Sequence, residues 1–321
     1  MSGGNAPDVG ADGPVTTPSS STPYGSRLQS KPRQPASSRD DLGCLGRVGA
    51  VPVKLITWNV HRGGHPNEQI PALLERKPDL IALQEIKAST VDDWRRGLEG
   101  ERFEVETTVA LIGDRTHGLL LASRLPMVRL TKQRVEIPFP ELFMSAVITL
   151  PRGQFCELHN THVPNGSSYG YRKMEHFEGL YRYLVRPLER GRPRILCGDF
   201  NAPRGERQDE TLITSAQNHS GSRLRPDRGQ RWDAAERSVL QGLAPFGLVD
   251  VYRDVHRYTE AEDNTEVSWL ADNGQGRRLD HVFADTTLKP WSADYVHGWR
   301  RDDKLSDHSA LEVSFEVPAG G

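Results

Sequence analysis

From Val53 onward the chain is written in short apolar, β-branched runs that stop, one after another, at an acidic or amide side chain. Lys54 to Val60 carries Asn59 in Thr57-Trp58-Asn59-Val60-His61, and Asp79 to Gln84 runs into Glu85. Arg194 to Cys197 leads to Asp199 and Asn201, Arg278-Leu279 precedes Asp280, and Ser306-Asp307-His308 precedes a run over 309–317. Such runs read as strands, and strand ends are where sheets host sites.

Amphipathic segments lie between the runs. Ile70, Leu73 and Leu74 mark one face of a short helix, and Thr90 and Asp93 have capping-box spacing ahead of a second helix that presents Trp94 and Leu98. Further strands are expected over 102–112, 118–123, 143–150 and 155–163. Met174, Phe177, Tyr181, Leu184 and Leu188 recur at helical spacing, with Pro187 at the end of that helix. An Arg-rich, weakly patterned stretch near 204–231 follows, then a helix around 233–243 and strands near 248–252 and 279–284. The order predicts an α/β fold: mixed, mainly antiparallel sheets with helices outside, in one layered domain over 51–321.

Residues 1–50 differ, being rich in Gly, Pro, Ser and Thr with Tyr24 as their one aromatic, and read as a disordered tail. They carry five basic and four acidic residues, so they hide no basic domain, and no apolar segment follows a basic start as in a secretory signal. No run approaches the roughly 18 apolar residues of a membrane helix. Three scattered cysteines, Cys44, Cys156 and Cys197, make neither a disulfide framework nor a zinc site. A reducing cytoplasm is the expected location. A formal net charge of −2 argues against coating nucleic acid by bulk charge but leaves room for a local basic surface.

Carboxylate and amide oxygens are hard donors suited to Mg²⁺, with Mn²⁺ as a substitute. Singly, each residue has an ordinary use: Asn59 as a turn former, Glu85 as a charge at a helix N-terminus, Asp199 as a cap. Their recurrence at the close of successive strands points instead to one shared site.

The ordered set Ile56-Thr57-Trp58-Asn59, Pro78-Asp79-Leu80-Ile81-Ala82-Leu83-Gln84-Glu85, Asn160-Thr161-His162, Leu196-Cys197-Gly198-Asp199-Phe200-Asn201, Arg278-Leu279-Asp280-His281 and Ser306-Asp307-His308 resembles the endonuclease/exonuclease/phosphatase superfamily over about 53–317. The resemblance implies a four-layered α/β/β/α sandwich, two packed mixed sheets flanked by helices. It also implies that Glu85 is the principal metal ligand, helped by Asn59 and Asp307. His308 would contact the scissile phosphate, held by Asp280. Asp199 would orient or deprotonate the attacking water, Asn201 would donate a hydrogen bond to the phosphate, and His162 would stand near it. Either Asp199 or His308 could be the base. Asn201, two residues beyond Asp199, shares its face if the chain there is extended.

Pro164-Asn165-Gly166, Gly247-Leu248-Val249-Asp250 and Trp269 ahead of Arg278-Leu279-Asp280 are similar to exonuclease III-like nucleases. Thr161-His162 departs from that subgroup, which usually shows Gly-Tyr there. DNA is accordingly the expected partner, cut by an endonuclease or 3′-exonuclease with a repair role. Arg62, Arg124, Arg172 and Arg204 are candidate contacts to flanking phosphates, and Trp269 a candidate stacking residue. The competing expectations are a phosphatase or phosphodiesterase acting on a small or lipid-linked phosphate such as inositol phosphate, and a catalytically silent binding module on the same fold.

Overall fold

The structure is a computed structural model and describes residues 51–317 apart from 113–116, 132–134, 188–191, 259–265 and 272–273. The expected disordered tail, 1–50, and the helix position Leu188 lie outside the described residues. The chain opens with β1 (Val51–Asn59), α1 (Pro66–Glu75), β2 (Leu80–Ile86) and α2 (Val91–Gly100). It continues through β3 (Glu104–Thr107), β4 (Gly118–Ser123), β5 (Met127–Arg129), β6 (Phe143–Thr149) and β7 (Phe155–His162). A one-turn α3 (Gly166–Tyr169) leads into α4 (Tyr171–Leu184), β8 (Arg194–Asp199) and a short ribbon of β9 (Gly205–Glu206) and β10 (Leu212–Ile213). Then come α5 (Gly229–Leu240), β11 (Leu248–Asp250), α6 (Val251–His256) and a second ribbon of β12 (Trp269–Leu270) and β13 (Gly276–Arg277). The last elements are β14 (Asp280–Asp285), β15 (Lys289–Val296), α7 (Gly298–Arg301) and β16 (Ala310–Val317).

Two six-stranded mixed sheets result, ordered β15-β16-β1-β2-β4-β3 and β11-β14-β8-β7-β6-β5. Side-chain alternation along each strand builds the layers. Leu55, Leu80, Leu119 and Leu121 of the first sheet pack on Met144, Leu158, Ile195 and Val282 of the second. The opposite faces carry Ile56, Trp58, Ile81 and Leu83 against Ile70, Leu73, Trp94 and Leu98 of α1 and α2. On the far side, Leu196 and Phe283 meet Met174, Phe177, Leu180 and Val239 of α4 and α5. This is the α/β/β/α sandwich, and each buried Leu or Ile contributes about 2 kcal/mol to it. Cys156 and Cys197 are ordinary core residues, and burial pushes the Cys197 thiol up to about 12.

Several sequence expectations are corrected. The strand foreseen over 102–112 is a strand only at Glu104–Thr107, followed by a 3₁₀ turn at Val109–Leu111. The run at 248–252 divides into β11 and the first residues of α6, where the Asp250 carboxylate accepts the Arg253 N–H and starts the helix. Thr90 precedes α2 but does not cap it: its hydroxyl donates to the Gly63 carbonyl at 2.8 Å. The helix expected at 233–243 covers Gly229–Leu240. Strands β5 and β15 had no forecast.

Strand direction sets up the site. β1 runs parallel to β2, and β7 parallel to β8, so Asn59, Glu85, His162 and Asp199 arrive at the same rim. β14 is antiparallel to β8 with Asp280 opposite Asp199, and β16 is antiparallel to β1, so His308 at its entry reaches that rim too. Gly198 makes the β7–β8 approach possible. Its φ is +136°, and a Cβ placed there would lie 1.9 Å from the Thr161 carbonyl oxygen. Gly198→Ala is therefore expected to lower stability by about 3 kcal/mol, through backbone strain and separation of the strands that pair His162 with Asp199. Urea unfolding measures it; a loss below about 1 kcal/mol would show that the two strands tolerate a side chain there.

Candidate active site

Glu85 reaches the rim because β2 breaks its register between Gln84 and Ile86, leaving Glu85 at φ +67° and out of the ladder. Such a bulge re-aims a side chain. One carboxylate oxygen accepts the Arg62 N–H at 2.7 Å, and the other accepts the Asn59 amide at 3.2 Å. Burial raises the Glu85 pKa, but the His162 charge and these two donors outweigh it and hold the acid down at about 2. Glu85 is therefore an anion across the whole physiological range.

The Asn59 amide also donates to Asp199 at 3.0 Å, which links the two sheets directly. Its own oxygen accepts the His61 N–H at 3.0 Å. In this arrangement the Asn59 amide nitrogen faces both carboxylates and braces them. Beneath it, Gln84 donates to the Asn160 side chain at 2.8 Å, while Asn160 donates to the carbonyls of Leu83 and Leu120. This buried polar pair spans the sheets just under the rim.

On the other side of Asp199 stands His308. Its Nδ1 lies 2.7 Å from the Asp280 carboxylate and its Nε2 3.9 Å from Asp199. His162 Nε2 is 3.5 Å from Asp199 as well. Burial disfavours charge on His308, yet the Asp280 and Asp199 carboxylates prevail and raise it to about 10. Asp199 moves the opposite way from Glu85. Its burial raises the pKa, the Asp280 charge adds to that, and His308 and His162 counter it in part. Asp280 is itself set in place through its backbone, its N–H given to Ser268 Oγ and its carbonyl accepting the Tyr295 hydroxyl at 2.6 Å. His308 is held by its carbonyl, which takes the Trp58 indole N–H at 3.0 Å.

Asn201 meets Asp199 through a turn, not an extended chain: φ is +50°, and its N–H returns to the Asp199 carboxylate at 2.8 Å. Its amide donates to the Val163 carbonyl at 2.9 Å and sits 3.4 Å from His162 Nε2. The turn is anchored from below by Lys173, whose ammonium donates to the Asn201 carbonyl at 2.7 Å and pairs with Glu236 at 2.8 Å. The sequence offers Arg172-Lys173, opening a helix, as a candidate phosphate contact, whereas Lys173 is buried.

These groups floor a cavity of about 620 Å³ whose walls include Trp269, Asp307, Arg204, Arg225, Arg228 and Arg277. Asp307 is half-exposed, 2.9 Å from His61 Nδ1 and 3.3 Å from the Trp269 indole nitrogen. His117, also on the wall, was missed because a lone histidine after 113–116 carries no pattern. Of Arg62, Arg124, Arg172 and Arg204, only Arg204 lines the cavity, and Arg277, which the sequence also offers as a phosphate contact beside Arg278, lines it too. Arg62 contributes its backbone N–H to Glu85 while its side chain is exposed. Arg172 is exposed and lies near Phe139, 5.6 Å from the ring centre. Arg124 follows β4, which runs antiparallel to β2, so it sits at the opposite rim over Phe103.

Asp199, Asp280 and His308 bring donor atoms within 4.8 Å of one another, which in bare distances resembles a metal cage. Within this cluster the Asp280 carboxylate lies 2.7 Å from His308 Nδ1 and raises the imidazole's proton affinity. Glu85, kept ionised, and Asp307 also bring carboxylate oxygens, hard donors, to the lining of this cavity.

A floor of acids and imidazoles thus lies under a cationic wall at one rim of the four-layered sandwich. The chain belongs to the Endonuclease/Exonuclease/phosphatase family, whose sequence model matches residues 56–308. Among solved structures it is similar to an AP endonuclease from Archaeoglobus fulgidus, with 23% identity and a TM-score of 0.61 over 82% of this chain and 99% of that one. The 3′ phosphatase NExo from Neisseria, bound to a product DNA hairpin, gives 21% identity and a TM-score of 0.59, covering 82% of this chain and 99% of that one. A humanized TDP2 from D. rerio gives 18% and 0.58, covering 82% and 98%. No curated protein matches the chain by sequence. Among the described residues, no helix is long and apolar enough to cross a membrane.

The His308 pKa, about 10, lies above the usual 6.5, so the Asp280–His308 pair adds stability that is complete below about pH 6.5 and is lost as pH rises through about 10. In metal-free protein, Asp280→Asn should reduce this alkaline loss and move the His308 titration, followed by NMR of the imidazole C–H, clearly below its value in the native protein, with Asp199 still favouring the charged form. A variant still titrating near 10 would refute Asp280 as the cause.

Proposed function

We propose that this protein is a Mg²⁺-dependent phosphodiesterase acting on DNA, as an endonuclease or 3′-exonuclease. The observation that carries the reading is the line Asp280–His308–Asp199 set beside an ionised Glu85 at the floor of an arginine-walled cavity. Family membership and the DNA bound to the NExo relative support it.

Asp199 is the general base. Burial and the neighbouring Asp280 raise its proton affinity toward that of a useful acceptor, and an activated water beside it is aimed at phosphorus. His308 stays protonated, so it does not compete for that proton; its Nε2 hydrogen faces a phosphate oxygen and stabilises charge that grows in the transition state. Asp280 fixes the imidazole's orientation and keeps its charge. His162 and the Asn201 amide stand on the same side of Asp199 and position the phosphoryl oxygens. Glu85 and Asp307 would hold the divalent ion, which supplies charge neutralisation at a phosphate oxygen and at the leaving oxygen. Trp269, joined to Asp307 by its indole, offers a face on the cavity wall for a base.

Turnover of abasic duplex, undamaged duplex, single-stranded DNA and inositol phosphates, each with Mg²⁺, Mn²⁺ or EDTA, tests the proposal. DNA cleavage lost in EDTA is expected, and preferential turnover of inositol phosphates would overturn the DNA assignment. Asp199→Asn and His308→Ala should each lower kcat by about 10²- to 10⁴-fold while the protein still unfolds cooperatively. Glu85→Gln should shift the Mg²⁺ titration to higher concentration; a titration unchanged in midpoint would remove Glu85 from the ion's ligands.

A further inference from the structure

The 204–231 segment, which the sequence leaves without a pattern, forms the part of the cavity wall that the chemistry above does not use. Arg204, Arg225 and Arg228 come from it, and Arg277 closes the wall from β13. All four are half-buried. Arg225 and Arg228 share one acid, Asp227, at 2.8 and 3.5 Å. Arg204 and Arg277 form no ion pair among the described residues, and Arg204 instead directs its guanidinium to the His219 ring at 3.2 Å. Among the described residues Asp227 is thus the one acid ion-paired with these four cations; Glu85, Asp199 and Asp307 line the same cavity, and mutual repulsion among the arginines is relieved when an anion enters beside them.

The wall is also built to hold its shape. Arg228 stacks on the Trp232 ring at 3.8 Å, and Gly166 leaves the room they occupy, since a Cβ there would fall 2.6 Å from both side chains. Arg277 lies over Trp269, 5.7 Å from its ring centre. Arg204 has its pKa lowered by burial and then by the charges of Arg277, Arg225 and Arg228, which places the four within reach of one another. A phosphodiester brings one negative charge, whereas a terminal phosphomonoester brings about two near neutral pH with three acceptor oxygens. Guanidinium forks match the latter.

We infer that this wall is a subsite for a terminal phosphomonoester of the substrate, placing a phosphorylated strand end within the same cavity as the bond that is cut. The inference deepens the DNA reading proposed above and rests on it. A cavity of about 620 Å³ suits a ligand of small-molecule size, so a strand end seated on the arginines and a scissile phosphate at Asp199 belong to neighbouring nucleotides.

The test measures binding in EDTA, where catalysis does not enter. The probes are three versions of one six-nucleotide DNA strand, with a 5′-phosphate, with a 3′-phosphate, or with hydroxyls at both ends, titrated at fixed salt. One of the two phosphorylated strands is expected to bind about tenfold more tightly than the hydroxyl strand. Arg204→Gln and Arg277→Gln should bring that ratio below about two, while Arg124→Gln, at the opposite rim, should leave it intact. Because the readout is a ratio, a general loss of positive charge that weakens all three strands alike does not mimic the result. Equal binding of the three strands by the native protein, or a tenfold ratio that survives both Arg204→Gln and Arg277→Gln, would overturn the subsite. Phosphate-dependent binding without DNA cleavage in Mg²⁺ would instead sink the nuclease assignment and leave the subsite standing.

Discussion

Two carboxylates of like charge, one from each sheet, are held side by side at the rim by the single amide of Asn59. Coulomb repulsion would otherwise spread Glu85 and Asp199, and the rim would open at the seam between the sheets. The Gln84–Asn160 pair closes that seam one layer lower with hydrogen bonds that an apolar core cannot supply, because apolar contacts are non-directional and fix no register. Below this level the interface becomes wholly apolar, Leu55, Leu119, Leu158 and Ile195 meeting without polar partners. The sandwich is thus held by apolar burial through its body and by specific hydrogen bonds only where atoms must be placed to within fractions of an ångström.

The same rim divides proton chemistry between neighbours. Glu85 is charged because donors surround it, Asp199 has its proton affinity raised because it is buried beside another acid, and His308 stays cationic because it lies between two acids. In the mechanism proposed above, these three residues of ordinary chemistry would take their anchor, base and cationic donor roles from their surroundings. Environments that drive titratable groups apart in this way mark functional sites. The buried His176 behaves differently: burial together with the His162 charge lowers it to about 3, so it remains neutral, its ring beside the Thr161 hydroxyl.

Much of this was legible in the sequence because Asn59, Glu85, Asp199, Asp280 and His308 each flank a strand whose apolar run is unmistakable, and parallel pairing brings such ends together. The illegible parts have definite causes. Nothing in the sequence says toward which rim a strand runs, and so Arg124, correctly placed after a strand, lies at the wrong end of the sheet. β15 is an edge strand with Trp291 more than half exposed and alternate residues in solvent, so its apolar signal is thin. Thr90 has the spacing of a cap, but a tertiary acceptor, the Gly63 carbonyl, takes its hydroxyl. The 204–231 segment is built from turns in which Asn218 receives the N–H of Ser222 and Gln217 that of Thr214, contacts that leave no periodicity to read.

Lys173 shows why that segment and the catalytic turn act as one body. A lysine this deeply buried costs several kcal/mol in lost hydration, which its ion pair with Glu236 offsets only if the remaining donors are also used. They are: one reaches the Asn201 carbonyl and another the Ser215 hydroxyl at 3.2 Å, while Glu236 accepts the Ser215 N–H and the Trp232 indole. Trp232 in turn carries Arg228 on its ring. A chain of direct contacts thus runs from the turn that presents Asp199, through one buried charge pair, to the arginine wall. Moving either end without the other would strand a charge away from water, so the wall and the catalytic floor keep a fixed separation, as a site reading two neighbouring phosphates requires.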